Sequence, residues 1–209
     1  MNRHPVIAID GPAAAGKGTL ARRLAEALGL PYLDTGLLYR AVGRRVLDEG
    51  GDPSDPGSAE RAALGLHPDD LQRNDLRGPE ADAAASAVAA IPGVRAALLD
   101  FQRNFAALRG AVLDGRDIGT VIFPNASVKL FVTATEQERA RRRWLEMRAK
   151  GHEVALSAVE QELHARDVRD AGRDAAPLCA APDAFVLDTT HIDADAAFSV
   201  ALAEVKARL

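Results

Sequence analysis

The residues best suited to chemistry lie near the N-terminus, in the run Gly11-Pro12-Ala13-Ala14-Ala15-Gly16-Lys17-Gly18-Thr19. Glycines let a chain turn so that successive backbone N–H groups converge, and such a nest binds phosphate oxygens. A helix opening directly behind it adds the positive end of its dipole. A lysine at this place reaches the β- and γ-phosphates of a nucleoside triphosphate, and a hydroxyl just behind it is a magnesium ligand. The usual Ser or Thr position after the lysine is occupied by Gly18, and the hydroxyl comes one residue later, at Thr19. The segment thus departs by one residue from the strict phosphate-loop pattern; the plain alternative is a glycine-rich turn.

A second candidate is Asp114, in Leu113-Asp114-Gly115-Arg116-Asp117. An aspartate at the end of a strand beside a phosphate loop holds the metal, directly or through water; otherwise it merely ends a strand at a turn. A third is an accumulation of arginine at 139, 141, 142, 143, 148, 166, 169 and 173. With 157–172 helical, Arg166, Arg169, Asp170 and Arg173 share one face, which Val159 and Leu163 continue as an apolar stripe. Such a face aims its charges at a cleft, or else it is a solvated face with an Arg166–Asp170 pair. Guanidinium forks match phosphate oxygens bidentately, so a phosphate loop elsewhere in the chain favours the cleft. Arg40, Arg95 and Arg116 each follow a turn or motif and fit surface and site equally well. The five histidines show no metal-ligand spacing, Cys179 reads as a packed thiol, and Trp144 reads as helix packing with Ala140 and Met147.

The scaffold these residues need is legible as alternating strands and helices. Val6–Asp10 is a short apolar run before Gly11-Pro12, hence a buried strand. Leu20, Leu24 and Leu28 make a helical stripe that stops at Gly29. A second helix spans about 36–49, turn formers fill 50–58, and 59–80 is polar and irregular. Helices follow at about 80–91 and 94–107, then strands at 111–114 and 128–132. Capping boxes at Thr135–Glu138 and Ser157–Glu160 open helices that run to Gly151 and about Gly172. A strand at 184–189 and a helix at 194–209 complete an α/β fold with a mainly parallel sheet.

Composition narrows the class. A chain of 209 residues suggests one domain with room for a lid or insert. The net charge of −4 argues against a protein that coats nucleic acid, which needs a broad basic surface. Arginine outnumbers lysine 22 to 4 and alanine is 42 of the residues, a bias that suits a G- and C-rich genome, so the arginines inform by position and not by number. One cysteine excludes an intrachain disulfide. The N-terminal apolar run is too short for a leader, and no run would span a bilayer, so a cytoplasmic protein is expected.

Four segments together resemble the bacterial cytidylate kinases, within the nucleoside monophosphate kinases. They are Ile9–Thr19, Leu33-Asp-Thr-Gly-Leu-Leu-Tyr-Arg40, Leu113–Pro124, and Arg166-Asp-Val-Arg-Asp-Ala-Gly-Arg173 followed by Ala176-Pro-Leu178. Their order covers nearly the whole chain, and the Gly-Lys-Gly-Thr form of the loop is one that these kinases use. The resemblance implies a P-loop nucleoside-monophosphate-kinase-like fold. Its core would span about 1–50, 92–143 and 158–209, with an acceptor-binding region at about 51–91 and a lid at about 144–157. It implies a monomer that moves the γ-phosphate of ATP to CMP or dCMP with Mg2+, and no nucleic-acid or membrane partner. Gly11 to Thr19 would hold ATP, with Lys17 catalytic and Thr19 and Asp114 on the metal. Thr35 and Arg40 would lie near the monophosphate, Ser86 and Arg95 would help hold the cytosine, and Asp117 would accept from its amino group. Asp170 with Arg166 would bind the ribose hydroxyls. Arg116 and Arg173 would meet the acceptor phosphate, Arg173 alternatively the base, while Arg142 and Arg143 would close over the ATP phosphates.

The family's small β-rich insert has no counterpart here. The matching stretch, 66–77, is too short for a three-stranded sheet and nearly devoid of β-branched residues. The residues themselves leave other readings open: a kinase for UMP, AMP or a hydroxyl acceptor such as shikimate, or a nucleotide-binding regulator without turnover. A hydroxyl acceptor would need a base, for which Asp34 is available, whereas an arginine-rich cleft suits an anionic acceptor.

Overall fold

The computed structural model describes residues 4–173 and 175–209. The opening residues 1–3, part of the stretch weighed above as a leader, lie outside them. The chain divides into two compact units: 1–33 with 109–209, and 34–108. The acceptor-binding region expected at 51–91 falls within the second.

The larger unit is built on a five-stranded sheet in the order β2 (Tyr32–Asp34), β3 (Ala111–Asp114), β1 (Val6–Asp10), β4 (Val128–Thr133), β5 (Phe185–Asp188). β1 pairs in parallel with both β3 and β4, and β4 with β5. β1 and β3 are apolar through most of their length because both faces are covered. α1 (Lys17–Leu28) and α8 (Ala194–Arg208) pack on the sheet, where Leu20, Leu24, Ala201 and Val205 meet Ile7, Ile9, Leu130 and Val132. A second, smaller core joins α6 (Glu136–Ala149) to α7 (Leu156–Ala171) through Ala140, Met147, Val159 and Leu163, with Trp144 packed against it. The strand order reverses direction around β1, the place where parallel α/β sheets bind ligands beyond their strand ends.

Two helix ends follow the residues that cap them. Gly29 takes a left-handed conformation at φ 65° and closes α1, and Thr135 accepts from the Glu138 N–H to open α6. The capping box expected at Ser157 does not form. α7 begins one residue earlier, with Ala155 at its N-cap and no side-chain cap bond. β2 carried no expectation: three residues are too few to show a period. Cys179 is exposed, not packed, because the chain after α7 runs without regular structure until β5.

The smaller unit is helical: α2 (Thr35–Asp48), α3 (Pro56–Leu64), α4 (Pro79–Val88) and α5 (Pro92–Ala107). α3 corrects the expectation of a break followed by irregular chain. Asp55 caps it through the Ser58 N–H, proline occupies its first turn, and Ala59, Ala62 and Ala63 are buried. Pro-Gly there starts a helix, because proline's missing N–H costs nothing at the first position. The short stretch at 66–77 contains a 3-10 turn, Pro68–Gln72, and no strand. Leu76 anchors it, 1% exposed, while Arg73 bridges Asp48 and Asp75, and Arg44 bridges Asp48 and Glu80.

α2 and α4 approach closely at Gly43, where a Cβ would come 2.7 Å from the Ala84 Cβ and 3.0 Å from its carbonyl carbon. Small residues on both helices permit that distance. Gly43→Val should therefore wedge them apart, at a cost of about 2 kcal/mol. Thermal unfolding should show Tm lower by roughly 4–8 °C; an unchanged Tm would mean that the packing yields at no cost.

Candidate active site

The phosphate loop leaves the C-terminal end of β1. Gly11 must be glycine there: its φ is 144° and a Cβ would lie 1.9 Å from the Val132 carbonyl oxygen. Ala14 sits in the left-handed region at φ 59°, which costs a residue with a side chain about 1–2 kcal/mol. Gly16, at φ 90°, forms the N-cap of α1, so Lys17, Gly18 and Thr19 occupy its first turn. The loop carbonyls are tied down in turn. Lys17 Nζ donates to Pro12 O at 2.7 Å, Arg139 Nη1 donates to Ala13 O at 3.2 Å, and the Thr189 hydroxyl lies 3.2 Å from Ala15 O. Because a peptide is planar and trans, fixing a carbonyl fixes the N–H on the opposite side of the same plane. The orientation of the loop's amides is thereby set in advance.

Asp114 ends β3 beside this loop, 8% exposed, and accepts from Tyr32 Oη at 2.9 Å. Gly18, where the strict motif has a hydroxyl, lies next to this pair. A Cβ there would stand 3.6 Å from Tyr32 Oη and 3.7 Å from Asp114 Oδ2, so this face of the helix borders the carboxylate. Thr19 is exposed on the first turn of α1.

Positive charge gathers around Lys17. Burial, and after it the Arg116 guanidinium, hold its pKa well below the ordinary lysine value; Arg166 adds to this, and Asp114 and Asp10 oppose it. Asp170, 1% exposed, gathers the arginines: Arg116 Nε donates to it at 2.9 Å, Arg173 Nη2 at 2.5 Å, and Arg166 Nε lies at 4.0 Å. Burial pushes the Asp170 carboxyl up, but the charges of Arg116, Arg173 and Arg166 outweigh it and leave it below the usual aspartate range. The structure thus brings Lys17, Gly18, Asp114, Arg116, Arg166, Asp170 and Arg173 into one neighbourhood of the larger unit.

Arg142 and Arg143 are placed on α6. Arg142 donates to Glu138 at 2.9 Å and to the hydroxyl and carbonyl of Thr189 at 2.9 and 2.6 Å, so it reaches the loop through Thr189. Arg143 donates to Glu146 at 3.1 Å. In the smaller unit Thr35 opens α2, buried, and Arg40 pairs with Asp34 at 2.9 Å while its buried Nε has no hydrogen-bond partner. Ser86 is buried on α4, and Arg95, 9% exposed, lies with its guanidinium carbon 5.8 Å from the Tyr39 ring centroid.

Two residues that the motifs did not single out belong to the larger unit's site. Arg139 is buried and joins Ala13 O, Ala134 O and Asp167, tying the phosphate loop to α6 and α7. Its only signal in sequence was membership in an arginine-rich helix. Asp10 ends β1 and accepts from the Ile118 and Gly119 N–H groups at 2.8 and 2.7 Å. Burial pushes its carboxyl up to about 6 against those two bonds, with Asp117 raising it further and Lys17 lowering it. Asp117, 4% exposed, stands at the start of a π-helical turn, Ile118–Ile122.

A phosphate-binding loop at the switch point of a parallel sheet, a carboxylate at the next strand end and an arginine cluster beside the lysine define a P-loop phosphotransferase. Comparison with known proteins narrows the class. The sequence profile of the cytidylate kinase family matches residues 7–207. A cytidylate kinase of Granulibacter bethesdensis is 67% identical over 193 residues, 92% of each chain. One of Acidiphilium cryptum is 64% identical, covering 96% of this chain and 95% of its own. The chain therefore belongs to the cytidylate kinase family. Among solved structures, an uncharacterized protein from Eubacterium ventriosum aligns with a TM-score of 0.59 at 14% identity, over 98% of this chain and 99% of its own. A gluconokinase from Sinorhizobium meliloti aligns at 0.52 and 16%, over 99% and 94%. These share the fold.

Asp170→Asn should leave buried arginine charge without its counterion, a loss of about 3 kcal/mol, read as a Tm lower by roughly 6–12 °C. Because the folded-state pKa lies below the ordinary 3.8, the stabilisation is complete above that pH and disappears as pH falls through the depressed value. The gap between wild type and variant should hold from neutral pH to about pH 4 and close below it. A gap that widened in acid would contradict the assignment.

Proposed function

We propose that this protein transfers the γ-phosphate of ATP to CMP or dCMP, giving ADP and CDP or dCDP, as a monomeric enzyme of the cytoplasm. The single observation that carries the acceptor's identity is the cytidylate kinase match across 7–207. The cationic neighbourhood of Lys17 supports the chemistry. The acceptor oxygen belongs to a phosphate and is already anionic, so no general base is needed. What remains is to place two highly charged groups in line and neutralise their repulsion. Lys17 is held where its charge is costly, between burial and two guanidinium groups. Phosphate oxygens entering the nest would favour its charged form again. The site is therefore built to be completed by an anion.

The residues fit a magnesium ion as well. Asp114 is a nearly buried carboxylate oriented by Tyr32, and Thr19 offers a hydroxyl one residue past the place where the strict motif has it. Magnesium uses one or two such protein oxygens and fills its remaining positions with phosphate and water. Bound there, it would supply charge neutralisation to the triphosphate. We assign Arg116 and Arg173 to the acceptor phosphate, and Asp170 with Arg166 to the ribose hydroxyls. Asp117 takes the cytosine amino group, which uracil lacks. Thr35 and Arg40 serve the monophosphate, and Ser86 and Arg95 the base. Arg142 and Arg143 act at the donor phosphates, Arg142 by way of its hold on Thr189.

A coupled ADP-release assay with Mg-ATP against CMP, dCMP, UMP, AMP and shikimate tests the reading. Turnover concentrated on CMP and dCMP is expected, and turnover of another acceptor in their place would discard the roles of Ser86, Arg95 and Asp117. Lys17→Met should lower kcat by about 100- to 1,000-fold, the scale of losing one preorganised charge contact. Near-normal turnover would remove Lys17 from the mechanism.

A further inference from the structure

The turn that begins at Asp117 is capped in an unusual way. A helical turn leaves its first N–H groups without partners inside the turn. An aspartate at the N-cap ordinarily satisfies them with its own carboxylate. Asp117 occupies that position, yet its side chain makes no cap bond. The two N–H groups, of Ile118 and Gly119, are taken instead by the two carboxylate oxygens of Asp10, from the end of β1, at 2.8 and 2.7 Å. Asp10 is 5% exposed and Asp117 is 4% exposed. Burying two carboxylates near one another is costly, and a neutral side chain at position 10 would avoid that cost.

The rest of the turn is shaped around this clamp. A Cβ on Gly119 would lie 3.3 Å from Asp10 Oδ2 and 3.1 Å from Lys129 Cδ, so glycine allows close approach on both sides. The buried Lys129 stem covers the turn from β4 and sends its ammonium out to Asp183 at 2.8 Å. The backbone past Asp117 then follows π-type bonds, Ile122 N–H to Asp117 O and Phe123 N–H to Ile118 O. Such turns are rare and recur at functional sites.

We propose that Asp10 is a positioning residue for base selection: by capping the Ile118–Gly119 amides from a neighbouring strand, it takes the place of the Asp117 carboxylate in the cap and fixes the backbone that carries Asp117. This rests on the reading above that Asp117 meets the cytosine amino group. Both Asp10 oxygens are engaged by those two amides, so it acts through the backbone that carries Asp117. An asparagine at position 10 presents one oxygen and one NH2 group, so it can accept from one of the two N–H groups and repels the other.

The test compares wild type, Asp10→Asn, Asp117→Asn and the double variant, with kcat and KM measured separately for CMP and UMP and the affinity for an ATP analogue. Asp10→Asn should raise KM for CMP and lower the CMP-over-UMP preference in kcat/KM by about 10-fold, a loss larger than any fall in kcat on saturating CMP or in nucleotide affinity. The double variant should be no less selective than Asp117→Asn alone, since both changes remove one function. If Asp117→Asn loses the preference and Asp10→Asn keeps it, this proposal is wrong and the role of Asp117 stands. If Asp117→Asn keeps it, the role of Asp117 falls and the proposal with it, and a wild type that does not turn over CMP removes the reading beneath both. A drop in kcat and ATP affinity with preference intact would make Asp10 a support of the phosphate loop only, which also overturns the proposal. Should Asp10→Asn not fold, Gly119→Ala crowds the same clamp with the carboxylate present. It should shift the preference in the same direction by a smaller factor; no shift would count against the proposal.

Discussion

Like charges have to be held together, away from water, before the substrate arrives to neutralise them. Much of the larger unit follows from that constraint. Lys17, Arg116, Arg166 and Arg173 cannot share a neighbourhood on their own, and Asp170 is what makes the arrangement possible. The carboxylate is buried to 1% exposure, which would by itself favour its neutral form. Three guanidinium groups reverse that preference. The compensation is incomplete: burial first, and the Arg116 and Arg166 charges after it, hold the Lys17 pKa below its ordinary value, although Asp114 and Asp10 oppose them. A site in this condition has more to gain from a phosphate than a neutral site does, and less to gain from any uncharged acceptor.

The same economy appears in the backbone of the phosphate loop. Its amides are useful only if they point at phosphate, and each is coupled through a rigid peptide plane to a carbonyl that must point elsewhere. Lys17, Arg139 and Thr189 each engage one of those carbonyls. Arg139 also binds Asp167 of α7, the helix that carries Arg166 and Asp170, and Thr189 is gripped by Arg142 of α6. The donor loop and the arginine helix are thus referenced to the same side chains. Strain is accepted where it serves the nest, as in the left-handed Ala14.

How much of this could be read from the chain depended on the range of the interaction. The strands at 6–10, 111–114 and 128–133, and the helices bounded by Gly29 and Thr135, are set by local periodicity and caps, and they appear where those signals lie. α3 was hidden because Asp-Pro-Gly serves a turn and a helix start equally well, and the choice fell to Ala59, Ala62 and Ala63 packing into a core. Ser157 carried a capping box that the backbone did not use: α7 starts at Leu156, which places Ser157 inside the helix. Cys179 was misjudged because cysteine's usual burial was applied to a segment that lacks regular structure. At the site, Lys17, Asp114 and the Arg166–Asp170 face were legible because motif and helical spacing are local. Arg139 and Asp10 were not, since their partners lie 126, 28, 108 and 109 residues away.

Gly18 joins these two scales. By the motif alone, glycine after the lysine is a defect, a hydroxyl displaced by one residue. In the fold it is the point where α1 passes Tyr32 and Asp114. A serine or threonine there would add its side chain on the side that faces a carboxylate already bonded to a tyrosine. At Thr19 the hydroxyl stands one residue farther along the helix, about 100° around it. Tyr32 orients the carboxylate, and a Cβ at position 18 would meet both groups at ordinary contact distance, 3.6 and 3.7 Å, so the fold admits glycine here without requiring it. A departure in the shortest part of the motif is therefore compatible with the strands around it, which is why a strict one-segment pattern would have rejected a loop that the whole structure supports.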